Sequence, residues 1–180
     1  MKRLLILSTL FLLSASTSSL IAQDHRFVED FVERLENSKK YILLVAETMP
    51  EDSYSYKATP ESLSFAENLL HIGYALDWHS QSLLGGRASR EWKTDTVFKV
   101  AGKSKEDMIA LIDQTFDQAM QLIKEFDTAQ LNDELDYFGL NRSKRQIFLL
   151  LADHITHHRA QMLVYMRLNG LVPPRYVLFQ

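Results

Sequence analysis

Apolar residues recur every three or four positions in four long stretches of this chain, the spacing that places them on one face of an α-helix. The first stretch covers about residues 24–48 and ends before Pro50. The second covers about residues 60–84, with Thr59 as its predicted cap and Pro60 in its first turn, and it ends before a pair of glycines. The pattern therefore predicts two helices in the first half of the chain.

Two further helices are predicted in the second half. The third covers about residues 105–126, and Ser104 is its predicted cap. The fourth covers residues 144–169, with Ser143 as its cap and Gly170 directly after its last turn. All four segments are amphipathic and long enough to present an apolar face to a common core.

Helices of this kind pack most simply as a four-helix bundle. The connections at residues 85–103 and 128–141 are longer than hairpin turns between neighbouring helices require, so at least one of them is expected to cross over the end of the bundle. The second connection is predicted to be a loop with a turn or a short hairpin of its own. No repeat or linker divides the chain, and the sequence predicts one all-α domain.

Composition narrows the classes of function. The chain has 180 residues, 46% of them hydrophobic and 24% charged, which is ordinary globular usage. The formal net charge of −3 offers no basic surface for nucleic acid. The absence of cysteine excludes disulfides and thiolate ligands from this chain, so histidines and carboxylates must hold any metal ion.

The N-terminal segment has the pattern of a secretory signal peptide. Lys2 and Arg3 give it a positive start, residues 4–13 are apolar, and small polar residues follow. We predict a signal peptide at residues 1–22 and a mature domain at residues 23–180, exported to the periplasm or the extracellular space. Earlier cleavage within the serine-rich part and retention as a membrane helix are the alternatives.

Three of the six histidines lie close together in the fourth predicted helix. His154 and His158 lie on its apolar face, four residues apart, whereas His157 lies on its flank. Two imidazoles at this spacing can chelate a divalent ion. The alternative is a pair of hydrogen-bonded core histidines, because two buried rings without partners would be costly.

A third ligand would have to come from another helix, and the second helix offers His71 and His79. Its main apolar stripe places His79 nearer the core, but Tyr74 and Trp78 belong to a second apolar sector around His71. These aromatic residues could line a cavity or belong to the core. Periodicity therefore leaves the choice between the two histidines open.

Two acidic residues could support such a site by accepting hydrogen bonds from the ligand rings. Asp77 and Asp153 lie within a few residues of the histidines. Both point away from the apolar stripes of their helices, so neither is predicted to take part.

The histidine segments resemble the DinB family of metal-binding four-helix bundles. The resemblance rests on Asn68-Leu-Leu-His-Ile, on residues 154–161, and on the ending at residues 167–174, and it covers most of the mature chain. Ala160 stands where many members have glycine. The resemblance implies a bundle with crossover loops, frequent homodimers, and a divalent ion, Zn²⁺ or Ni²⁺, bound by three ligands: His71, His154 and His158.

The resemblance and the export signal together suggest two classes of function. One is a metal-dependent hydrolase or thiol-dependent transferase acting on a small molecule, and the other is a non-catalytic, metal-containing binding or structural module. No glutamate stands next to the first histidine of the pair as in a His-Glu-x-x-His protease, which argues against that chemistry. The substrate cannot be read from the sequence.

Overall fold

The computed structural model describes the backbone of residues 2–176 and the side chains of residues 22–176. The predicted signal peptide, residues 1–22, therefore lies outside the described side chains except for its last residue. Within the described residues no helix is both long enough and apolar enough to span a membrane.

Four α-helices and one β-hairpin make up the described chain, with short 3-10 or π segments between them. The all-α class is confirmed, with a small two-stranded antiparallel sheet added in the connection between the last two helices. The elements are α1 (Lys2–Thr48), α2 (Phe65–Asp77), α3 (Lys105–Lys124), β1 (Glu134–Tyr137), β2 (Leu140–Ser143) and α4 (Lys144–Leu168), together with 3-10 turns at Glu51–Ser53 and Thr128–Asn132 and a π-helix at Trp78–Leu84.

The helices form a bundle in which α1 packs against α3 and α4, and α2 packs against the same two helices. The consecutive helices α1 and α2 therefore lie diagonally across the bundle, as do α3 and α4. The predicted crossover is thus found in the connection between α3 and α4, which carries the hairpin. The long connection between α2 and α3 instead joins two neighbouring helices and folds over one side of the bundle.

Helix α1 ends at Thr48 as predicted, but it begins well before residue 24. The physical reason is that no glycine or proline interrupts residues 2–48, so nothing in the local sequence ends the helical hydrogen-bond ladder.

The predicted start of the second helix at Pro60, with Thr59 as its cap, is wrong. Helix α2 begins at Phe65, and Ser64 is its cap. The Ser64 hydroxyl accepts from the Glu67 amide at 3.1 Å, and the Glu67 carboxylate accepts from the Ser64 amide at 2.7 Å. This reciprocal pair satisfies two amides of the first turn, whereas the third residue after Thr59 is a serine and cannot complete such a box.

The corrected helix start gives a testable difference between two hydroxyl residues. We expect Ser64→Ala to lower the free energy of unfolding by about 1 kcal/mol, because it removes the capping hydroxyl. Thr59→Ala should change it by less than about 0.5 kcal/mol, because Thr59 lies in an exposed turn. Urea denaturation of both variants measures the difference, and a larger loss for Thr59→Ala would contradict this assignment.

Beyond Asp77 the second helix continues as a π-helix to Leu84, so the predicted end before the glycine pair is confirmed. The Gly85 amide donates to the Ser80 carbonyl at 2.9 Å, five residues back. Gly86 adopts the left-handed conformation (φ +74°) that ends the segment. Single π-helical turns inside α-helices often occur near functional sites.

Helices α2 and α3 come unusually close together at Gly73. A methyl group there would lie 2.6 Å from Cδ1 of Ile112 and 2.8 Å from Cε1 of Phe98, so only glycine fits without movement of its neighbours. Because His71 lies half a turn before this contact, the packing fixes the position of the ring that α2 presents to α4.

Candidate metal centre

Helices α2 and α4 bring three histidine rings together. His71 lies on α2, and His154 and His158 lie one turn apart on α4, the neighbouring helix in the bundle. Their ring centroids are 4.5–5.0 Å apart, and one nitrogen of each ring can be chosen so that all three lie within 4.8 Å of one another. The two rings predicted from helical spacing and the ring implied by the family resemblance thus occupy one place.

The orientation of His158 is fixed by Asn68, a residue whose role sequence reasoning missed. Nδ1 of His158 lies 2.8 Å from Oδ1 of Asn68. The Asn68 amide nitrogen donates to the carbonyls of Leu63 at 3.1 Å and Ser64 at 2.9 Å, so its oxygen faces the histidine as an acceptor. Nδ1 of His158 therefore carries the proton, and its Nε2 keeps a free lone pair.

The other two rings contain buried nitrogens that no group in the described chain satisfies. Nδ1 of His71 and Nε2 of His154 are both buried, and neither has a hydrogen-bond partner among the described residues. A buried polar atom without a partner costs about 1–3 kcal/mol. Two such atoms in one cluster fit a site whose missing partner is a bound ion, and imidazole donors suit Zn²⁺ and Ni²⁺.

The surroundings keep all three rings neutral. Burial, reinforced by the neighbouring histidines, lowers the pKa of His158 to about 3. Burial also lowers the pKa of His71 to about 4, with help from the charges of His154 and Lys99. The pKa of His154 is lowered as well, first by burial and then by His157. Neutral imidazoles are the form that binds a metal ion, so no proton has to be displaced near pH 7.

The remaining two histidines of these helices lie outside the cluster. His79 is buried, as its place on the wheel indicated, but both of its nitrogens are occupied. Nδ1 donates to the Ala75 carbonyl at 2.7 Å, and Nε2 accepts from the Tyr137 hydroxyl at 3.1 Å. His157 is exposed and accepts from the Gln161 amide at 2.8 Å. Both histidines thus have the hydrogen-bonded or exposed surroundings expected of residues outside the site.

The two acidic residues considered as supports have other roles or none. Asp77 is buried and forms ion pairs with Arg87 and Arg90, whereas Asp153 is exposed. The oxygen that supports the cluster is therefore the amide oxygen of Asn68.

Aromatic side chains enclose His71. The Tyr74 ring lies nearly parallel to it, with centroids 6.4 Å apart, and Trp92 meets it edge-on at 5.2 Å. Trp78 instead packs against His79 and Tyr137 on the hairpin side. Sequence reasoning did not single out Trp92, because it lies in the irregular connection between α2 and α3 and no periodic pattern marks it.

Three comparisons with known proteins agree with one another. The family model described as "DinB family" matches residues 23–179. An uncharacterized protein, YjoA, of Bacillus subtilis (strain 168) is 28% identical over 131 residues, which cover 70% of this chain and 80% of that protein. The crystal structure of a DinB-like protein, YjoA, from Bacillus subtilis has a TM-score of 0.64 and 25% identity, covering 86% of this chain and 99% of that one. A DinB-like protein from Bacillus cereus has a TM-score of 0.63 and 23% identity, covering 84% and 95%.

Proposed function

Since this chain belongs to the DinB family, we propose that it binds one divalent metal ion, Zn²⁺ or Ni²⁺, through His71, His154 and His158. The observation that carries the proposal is the pair of buried ring nitrogens without partners in a cluster of three neutral imidazoles. A pair of ordinary core histidines would have hydrogen-bond partners, as His79 has.

The spacing of the rings is close to what a metal ion requires. Nitrogens bound tetrahedrally at about 2.0–2.1 Å from an ion lie about 3.4 Å from one another. The three candidate nitrogens already lie within 4.8 Å, so small side-chain rotations would complete the site. The hydrogen bond from Asn68 holds one of the three rings in a suitable orientation.

The ligand set favours a reactive site over a closed structural one. Structural zinc sites have four protein ligands, whereas catalytic sites have three and leave one position open. In the part of the chain that the structure describes, no fourth histidine or carboxylate joins the cluster, and His71 and His154 are only half-buried. When bound, such an ion acts as a Lewis acid toward a substrate group. We propose a metal-dependent hydrolase or thiol-dependent transferase that acts on a small molecule.

The alternative is a non-catalytic, metal-containing module. The ligands come from two packed helices, so an ion would link α2 to α4 and would contribute to folding whether or not a reaction follows. Both functions use the same three histidines, and they differ in whether the open position binds a substrate.

Metal content tests the proposal directly. The mature chain, purified without a histidine tag and reconstituted with zinc, should contain about one equivalent by elemental analysis. His71→Ala and His154→Ala should lose most of it, because each removes one of three ligands. His157→Ala, which removes an exposed histidine from the same helix, should keep it. A metal-free wild type, or equal content in all three variants, would refute the proposal.

We also propose that the protein is exported. The family match begins at residue 23, directly after the segment with the signal-peptide pattern, and this supports a separate role for that segment. The N-terminal sequence of protein recovered from the periplasm or the medium would test it. The homodimer implied by the resemblance stays a prediction, which the mass of the purified protein in solution would test.

A further inference from the structure

A cleft of about 270 Å³ lies beside the histidine cluster, and its walls are mostly apolar and aromatic. Trp92 connects the two, because it lines the cleft and its ring also meets the His71 ring edge-on at 5.2 Å. A molecule in this cleft would therefore lie against the same indole that borders the proposed metal ligand. Its size is at the lower end of the range for small-molecule sites.

The cleft contains one lysine that has no acidic partner. Nζ of Lys99 lies 3.1 Å from the centroid of the Trp92 ring, and the residue is half-buried. Among residues 22–176, no carboxylate forms a salt bridge with it, although lysines elsewhere in the bundle pair with one or two acids. Its charge also contributes to the lowered pKa of His71, so the ammonium group lies within electrostatic reach of the cluster.

The position of Lys99 is set by the backbone around it. Lys103 donates to the carbonyls of Lys99 at 2.9 Å and Thr96 at 3.0 Å, and the Phe98 amide donates to the Asp95 carboxylate at 2.8 Å. These bonds close the loop around the lysine. The ammonium group is therefore held in place before any ligand arrives, which lowers the entropic cost of binding.

The one acid in the cleft is already engaged. The Glu67 carboxylate accepts from the Ser64 amide at 2.7 Å and pairs with Lys57 at 3.0 Å. Its charge is thus balanced outside the cleft, and the positive charge of Lys99 remains available to a ligand.

We propose that this cleft is the substrate site and that Lys99 binds the carboxylate of a small substrate whose other end reaches the metal ion. The apolar walls and the Trp92 face would contact the chain between the two ends. The inference rests on the proposed function, because the second end requires the ion. It names the substrate class as small carboxylates with a metal-binding group.

Two hydroxamates that differ in one charge test the role of Lys99. Succinic monohydroxamate has a metal-binding group and a carboxylate, whereas butyrohydroxamate has the same metal-binding group and a neutral end. With zinc-loaded wild-type protein, calorimetry should show about tenfold tighter binding of the charged probe, the factor expected for one charge-assisted contact. Lys99→Gln should abolish that preference, and Lys99→Arg should keep most of it.

Two controls separate a ligand contact from a structural effect. Lys93→Gln removes an exposed lysine of the same loop and should leave the preference unchanged. The unfolding midpoint of Lys99→Gln should match that of the wild type. Metal content is measured first in every variant, so a failure of the metal proposal shows as absent zinc. Zinc-loaded protein that binds neither probe, or shows the same preference with and without Lys99, would overturn this inference and leave the metal site standing.

Discussion

Zinc added to the metal-free protein is expected to raise its free energy of unfolding by about 2.7 kcal/mol when free zinc is one hundred times the dissociation constant. The reason is that the ligands come from α2 and α4, which lie together only in the folded chain. His158→Ala should reduce this gain to roughly 0.4 kcal/mol. Even partners outside the ligand shell change metal affinity 10–100-fold, so loss of a ligand should cost at least about 100-fold.

Denaturation with and without zinc measures this gain in each protein against its own metal-free baseline. This design matters because His158 is buried and its replacement also changes the packing and leaves Asn68 without its partner. His157→Ala is the matched control and should gain as much as the wild type. A gain of the same size in His158→Ala would show that zinc binds elsewhere.

Arg90→Met is expected to lower the free energy of unfolding by about 3 kcal/mol or more, the largest stability effect that we predict for a single residue. The Arg90 guanidinium lies 3.2 Å from Asp77 and 3.5 Å from Asp95, and the side chains of these acids are only 6% and 3% exposed. Its removal leaves Asp95 without an ion-pair partner and Asp77 with one fewer. Removal of one partner from a buried pair costs about 3–5 kcal/mol, because a buried charge is left without compensation.

The neighbouring arginine provides the comparison. Arg87 pairs only with Asp77, and its side chain is 42% exposed. Arg87→Met should cost about 1 kcal/mol, since Asp77 keeps its contact with Arg90. Urea midpoints of the two variants measure the difference, and equal losses would contradict the central position that we give to Arg90. Because the same loop carries Trp92 and Lys99, Arg90→Met should also weaken binding in the cleft.

Helix boundaries could be predicted from sequence where the capping signal was complete. Ser104 and Ser143 cap α3 and α4 as predicted, and each has an acid or an amide three residues later that returns the hydrogen bond. The start of α2 was misplaced because Thr59 and Pro60 imitate half of such a signal. The π-helical end of α2 has no local signature, since residues 78–84 are compatible with an ordinary helix.

The site could be predicted only where its geometry is local. His154 and His158 share a face because α-helical spacing places them there, whatever the rest of the fold does. The wheel correctly placed His79 in the core, yet burial does not decide which ring has a free nitrogen. That depends on Tyr137, 58 residues away, which occupies His79. His71 was identified by family resemblance and not by periodicity.

The supporting residues were missed for the same physical reason. Asn68 meets His158 across 90 positions of sequence, and Trp92 reaches His71 from a loop without periodicity. Such contacts depend on how helices pack and how a loop folds back, and neither is encoded in a short window of sequence.

Zinc K-edge X-ray absorption of the loaded wild-type protein and His71→Ala tests the metal site most directly. We predict three imidazole nitrogens at about 2.0–2.1 Å in the wild type, with one further light-atom ligand in the open position. His71→Ala should show at most two imidazoles and weaker zinc binding. A wild-type spectrum with fewer than three imidazoles, or one that His71→Ala leaves unchanged, would contradict the assignment of His71, His154 and His158 as the metal ligands.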